Sequence, residues 1–162
     1  MSVVIADTGP LNYLTLIDCI YVLPPLYGEV IVPSAVLREL RSARTPEKVR
    51  GWSHDLPSWV KTKSPLSDLN LDLDPGEAEA IALGEMRPFG LLLVDDRDAR
   101  IEALARSLPV IGTIGVPEFA AISELIDLQT ALNKLTQTNH RHSPELINAA
   151  LRRDQERKRG TS

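Results

Sequence analysis

Val3-Val4-Ile5-Ala6-Asp7-Thr8-Gly9-Pro10-Leu11 opens the chain, and Leu91-Leu92-Leu93-Val94-Asp95-Asp96-Arg97-Asp98 later follows the same plan. Each is a four-residue apolar run stopped abruptly by acid, too short for a helix and bounded by turn residues, which predicts a buried strand. Val30-Ile31-Val32, closed by Pro33-Ser34, and Val110-Ile111, closed by Gly112, read the same way, and a weaker strand falls over 59–63. Helical patterns lie between them. Pro10 can start one. Val36, Leu37 and Leu40 form a stripe over 35–43, and further helices fit 47–55, 116–125, 128–135 and 144–157. Asp74-Pro75-Gly76-Glu77 has the form of a helix start, with Asp74 as N-cap and Pro75 at the first position. Ile101, Leu104, Ala105 and Leu108 mark another helix. Strands alternating with helices predict an α/β chain, a three-layer α/β/α fold around a central, mostly parallel sheet.

The 162 residues, 43% of them hydrophobic and 25% charged, fit one domain over 1–158 with a frayed tail at 159–162. The 22 acidic residues exceed the 18 basic ones, for a net charge of -4, which at first sight disfavours a protein that coats nucleic acid. Cys19 is the single cysteine, so an intrachain disulfide and a cysteine-based zinc site are both excluded. No stretch approaches the roughly 20 apolar residues of a membrane span, and the N-terminus lacks a basic, then apolar, signal segment. A cytoplasmic location with no membrane partner is expected.

The positions of the acids carry the chemistry. Open parallel sheets bind ligands at the carboxyl ends of their strands, where this sequence has Asp7, Asp95, Asp96 and Asp98. Glu39 lies on the helix after the second strand, and Glu77 and Glu79 open the helix before the Leu91 strand. Converging carboxylates repel, and the usual remedy is a cation. All-oxygen ligation selects hard ions such as Mg2+ or Mn2+. Two such ions about 4 Å apart can serve in-line attack on a phosphodiester.

The ordered set VVIADTGPL, IVPSAVLREL, LDPGEAEAIALGE, LLLVDDRDAR and VIGTIGVPEFA resembles the PIN-domain nuclease family, in particular the prokaryotic branch related to VapC-type toxins. The resemblance runs from Asp7 to about Asp127, and RHSPELINAALRR is similar to that branch's last helix. It implies a PIN-like fold and a ribonuclease using one or two Mg2+ or Mn2+ ions. Carried over by position, Asp7, Glu39, Glu77 and Asp96 are the catalytic acids, with Glu79 and Asp98 as further metal ligands. Thr8 and Asp95 are supporting groups, Thr8 bonding a ligand carboxylate and Asp95 holding its loop. Residues two apart on a helix point about 200° apart, so Glu77 and Glu79 reach one site together only from an irregular first turn. The helix N-terminus by itself explains one of them. The implied partners are an RNA substrate, a cognate antitoxin protein and a second copy of the chain.

Other chemistry-bearing residues have plain readings. Arg38, Arg41 and Arg44, with Lys48 and Arg50, fit a phosphate-tracking stripe and a solvated face equally well; Arg97 and Arg100 sit beside the acids. His54, His140 and His142 are too scattered for a metal site, and His140 and His142 read as surface residues of a polar turn. Trp52 and Trp59 read as packing, and Cys19 as a buried, inert thiol. The leading expectation is a metal-dependent endoribonuclease, the toxin of a toxin–antitoxin pair. The alternative is a PIN fold serving as a binding or regulatory module with little or no nuclease activity. Phosphotransfer folds that want paired acids after the first strand are disfavoured by Gly9, and no G-x-G-x-x-G follows that strand. If Asp7, Glu39, Glu77, Glu79, Asp95, Asp96 and Asp98 share a pocket, 22 acids less those seven leaves 15 against 18 basic residues. The remaining surface is then slightly basic.

Overall fold

A computed structural model describes residues 3–160. Five strands form one sheet: β1 (Val3–Ala6), β2 (Glu29–Pro33), β3 (Val60–Lys63), β4 (Gly90–Leu93) and β5 (Val110–Ile111). Their order is β3-β2-β1-β4-β5, and every neighbouring pair is parallel. The predicted strands are all present. Nine α-helices connect and cover them among the described residues: α1 (Thr8–Leu16), α2 (Leu23–Tyr27), α3 (Ser34–Leu40), α4 (Glu47–His54), α5 (Pro75–Glu85), α6 (Arg97–Ala105), α7 (Gly115–Ile122), α8 (Leu128–Thr136) and α9 (Pro144–Gly160). No helix among them is long and apolar enough to cross a membrane.

Alternation along the short strands splits the core in two. Val4, Ala6, Val30, Val32, Leu93 and Ile111 face one cluster, filled by Leu11 and Leu14 of α1, Val116 of α7 and Leu132 of α8. Ile5, Ile31, Leu92 and Val94 face the other, filled by Ala80, Ile81 and Leu83 of α5 and Ala99 and Ala103 of α6. These strands are buried on both faces, which is why they read as unbroken apolar runs. The result is the expected three-layer α/β/α sandwich.

Several boundaries differ from the sequence reading. α1 begins at Thr8, two residues before Pro10, because Pro10 in a first turn still lacks only an amide that has no partner there. α3 stops at Leu40 instead of 43: the carbonyl of Glu39 accepts from the Ser42 amide (3.0 Å) and the Thr45 hydroxyl (2.8 Å), closing a turn. α7 stops at Ile122, three residues early, because Glu124 takes a left-handed φ of 59°. α9 continues through residues 159 and 160, where fraying was expected; residues 161–162 lie outside the described residues.

The strand order positions the site. β1 has β2 on one side and β4 on the other, so the connections leave its carboxyl end in opposite directions and open a crevice there. Ala6 pairs with Leu93 in register, placing Asp7 beside the turn that follows β4.

Candidate active site

Asp7 is held at the crevice by the backbone. Its amide donates to the Leu93 carbonyl (3.0 Å), and its own carbonyl accepts from Leu11 in the first turn of α1. As the N-cap of α1 its carboxylate would ordinarily bond a first-turn amide, but it makes no such side-chain bond. The residue is buried, and Oδ1 has no hydrogen-bond partner. Gly76, at the start of α5, brings backbone close: a Cβ there would lie 3.3 Å from Asp7 Oδ1 and 3.0 Å from a Val36 methyl.

Glu77 sits beside it. The N-cap Asp74 accepts the Glu77 amide (2.8 Å). Burial pushes the Glu77 carboxyl up to about 8, reinforced by Asp74, Asp7 and Asp96. Burial likewise pushes Asp7 up to about 7 against the Thr8 backbone bond, with the charges of Asp74, Glu39 and Asp95 adding to the rise. Two buried carboxyls thus hold protons at pH values where exposed acids are ionised, a frequent mark of a functional site.

The other predicted acids divide. Glu39, exposed near the end of α3, accepts from Thr8 Oγ1 (2.9 Å), so Thr8 does support a carboxylate of the group. Asp96 caps α6 through Oδ2, which accepts the Ala99 amide (3.0 Å), and its charge reaches Glu77. Glu79 and Asp98 do not join. Glu79 turns to the start of α3, where Oε1 accepts from the Ser34 hydroxyl (3.0 Å) and the Ala35 amide (2.9 Å). The 200° divergence between the two glutamates therefore holds, and Glu77 is the one that faces Asp7. Asp98 is exposed on the first turn of α6 and makes no hydrogen bond among the described residues.

Asp95 holds more than its own loop. Its oxygens accept the Thr113 amide (2.8 Å) and hydroxyl (2.5 Å), and Oδ2 lies 3.3 Å from His140 Nε2. Burial opposes its charge, but the bonds from His140 and Thr113 win and hold its pKa below the ordinary carboxylate value. Contrary to the surface reading, the His140 side chain is buried. It packs edge-on to Tyr13 (4.7 Å between ring centres) and hydrogen-bonds His142 between the two Nδ1 atoms (3.2 Å), while the Tyr13 hydroxyl donates to Asn139 (3.0 Å). Sequence reasoning also missed Asp74, seen only as a helix cap. Its spacing of three from Glu77 was the available signal.

A family model for PIN domains, DUF3368, matches residues 3–156. The chain belongs to the PIN-domain family. Among solved structures it is similar to a PilT N-terminus domain protein, SSO1118, from the hyperthermophilic archaeon Sulfolobus solfataricus P2, with a TM-score of 0.47 and 16% identity over 88% of this chain and 100% of that one. No curated protein matches the chain.

PIN domains are generally nucleases that hydrolyse phosphodiester bonds and generally use divalent metal ions. The donor set of this PIN domain fits such an ion. The acids around Asp7 offer only hard oxygen donors, and the unpartnered Asp7 Oδ1 is a buried acceptor that a cation would satisfy. Among the described residues, no three His, Cys, Asp or Glu side chains are drawn together into a ready cage. Glu39, Asp74 and Asp96 are instead engaged by the Thr8 hydroxyl and by the Glu77 and Ala99 amides.

Proposed function

We propose that this PIN domain is an endoribonuclease dependent on Mg2+ or Mn2+, acting in the cytoplasm as the toxin of a toxin–antitoxin pair. The observation that carries the reading is Asp7: a buried carboxylate with an orphaned oxygen, at the switch point of a parallel sheet, that feels the charges of Asp74, Glu39 and Asp95 and in turn acts on Glu77. Asp7 and Glu77 would hold the ion, with Asp96 and Glu39 completing its shell directly or through water. Held by these acids, one or two ions would supply positive charge at the scissile phosphate and a water nucleophile at neutral pH. Asp74 fixes the first turn of α5 by accepting the Glu77 amide, and the Thr8 hydroxyl holds Glu39. Glu79 and Asp98 have no part in this scheme.

The free, buried Cys19 supports the cytoplasmic assignment. Ile101 and Leu104 of α6 and Phe119 and Ile122 of α7 are exposed, which supports protein contacts such as a second copy or an antitoxin. The test is cleavage of labelled RNA with Mg2+ or Mn2+, before and after chelation, by the wild-type chain and by Asp7→Asn and Asp96→Asn. Loss of cleavage in both variants is expected. Full activity in both would sink the assignment and favour the binding-module alternative.

A further inference from the structure

Beside the acidic centre lies a second feature that the proposed hydrolysis does not use. A cleft of about 560 Å³ starts at Asp95 and runs between the Gly112–Gly115 turn, the α8–α9 loop and the first turns of α9. Its volume lies within the roughly 300–1,000 Å³ of ligand pockets. Arg100, Arg141 and Arg153 line it, together with His142 and the apolar Ile114 and Leu146. Two of the arginines are engaged. Arg100 donates to the Val94 carbonyl (3.0 Å), and Arg153 is held by both oxygens of Glu118. Arg141 is exposed and makes no ion pair among the described residues.

The loop that presents Arg141 is fixed in place. His140 docks it onto Asp95, and Asn139 docks it onto Tyr13. His142 is joined to His140 edge to edge by an Nδ1–Nδ1 hydrogen bond (3.2 Å), with 20° between the ring planes, so its ring is fixed in the wall of the cleft. Asn139 also lines a second cleft, of about 540 Å³, together with Thr8, Glu39 and Arg44. The docked loop therefore borders both clefts, one lined by Asp95 and the other by Thr8 and Glu39.

We propose that the cleft beside Asp95 is a nucleotide subsite for single-stranded RNA, with a base against His142 and the apolar wall and its phosphate at Arg141; this rests on the nuclease reading above. A cation for the backbone and a ring for the base are the two elements by which proteins hold single strands. The subsite touches the acidic centre through Asp95, whose neighbour Asp96 belongs to it. A strand lying across Asp7 thus leaves directly into the cleft. A duplex offers no unstacked base for His142.

The experiment is anisotropy of a labelled single-stranded oligoribonucleotide with the full chain in chelator, where cleavage is suppressed, followed by cleavage with Mg2+ or Mn2+. Arg141→Glu is expected to weaken binding roughly tenfold and to lower the salt dependence by at least the ~0.7 expected for one single-strand phosphate. His142→Ala should weaken binding, and His142→Phe should restore it. Duplex RNA of the same sequence should bind weakly and be insensitive to all three changes. Wild-type binding and cutting by Arg141→Glu and His142→Ala would overturn the subsite, while loss of cleavage in Asp7→Asn would still uphold the nuclease reading. Conversely, full cleavage by Asp7→Asn with impaired binding by Arg141→Glu would keep the subsite and remove the catalytic assignment. Unchanged RNA binding with lost binding of oligo-aspartate would give the cleft to an acidic protein segment instead. Equal thermal melting of the variants and wild type separates these results from misfolding.

Discussion

At Asp7 a carboxyl group is buried with one oxygen unpaired, and the charges around it are those of other acids. Its ionisation is opposed by the fold, and the same holds for Glu77. Between their ordinary values of 3.8 and 4.5 and their folded values of about 7 and about 8, the folded protein keeps protons that the unfolded chain has released. Stability contributed by these groups therefore falls as pH rises through that window. The metal-free protein should melt at lower temperature at about pH 8.5 than at about pH 5.5, when followed by circular dichroism in chelator. Asp7→Asn should flatten this dependence and stabilise the protein above pH 8 by a few kcal/mol, at about 1.4 kcal/mol per pKa unit. A variant that melts with the wild-type pH profile would show that Asp7 titrates normally. Gly76 is the neighbouring constraint. Gly76→Ala would press a methyl toward Val36 and Asp7 Oδ1, so a clear loss of divalent-ion affinity by calorimetry is expected, with the fold intact.

The elements that carry these side chains depend on caps. Glu79 bonds the Ala35 amide at the start of α3, the helix that bears Glu39. Glu79→Ala should destabilise the protein by about 1 kcal/mol in urea unfolding, as loss of an N-cap does, and leave divalent-ion affinity near wild type. Glu77→Gln should do the reverse. Equal loss of affinity in both would return Glu79 to the metal site. At their other ends, α1, α6 and α7 close alike, with a left-handed residue followed by an amide bonded to the carbonyl five residues back: Asp18 before Cys19, Ser107 before Leu108 and Glu124 before Leu125. None of the three is glycine, the usual marker of a helix stop. That is why the end of α7 could not be read correctly. Glu124→Gly should raise stability by about 1 kcal/mol by relieving the left-handed strain, and an unchanged urea midpoint would argue against strain there.

For the whole molecule, a divalent ion that replaces two protons links binding to folding. Added Mg2+ or Mn2+ should raise the melting temperature markedly at about pH 8 and little at about pH 5, where Asp7 and Glu77 are protonated. An equal rise at both pH values would place the binding elsewhere. Much of the architecture behind this was legible in the chain. Short apolar runs closed by acids or by turn residues mark β1, β2, β4 and β5, because strands buried on both faces need no polar alternation, while β3, Val-Lys-Thr-Lys at the sheet edge, was the weaker signal. Asp7, Glu39 and Asp96 were legible as candidates because they stand at or near the carboxyl ends of those strands, and Thr8 because a hydroxyl follows the acid. What remained open depended on direction and on partners distant in sequence. Local pattern cannot say that β1 lies between β2 and β4, and only that order brings Asp7 beside the turn after β4. Where α3 packs against α5 turned Glu79 to the start of α3, and no local pattern could show that. Asp74 became part of the site through its bond to Glu77, and His140 through a contact with Asp95 across 45 positions. Strand identity is a property of neighbouring residues, and so the sequence by itself determined it. Which carboxylates lose their water, and therefore their charge, depends on what the folded chain lays over them, and only the tertiary structure decided that.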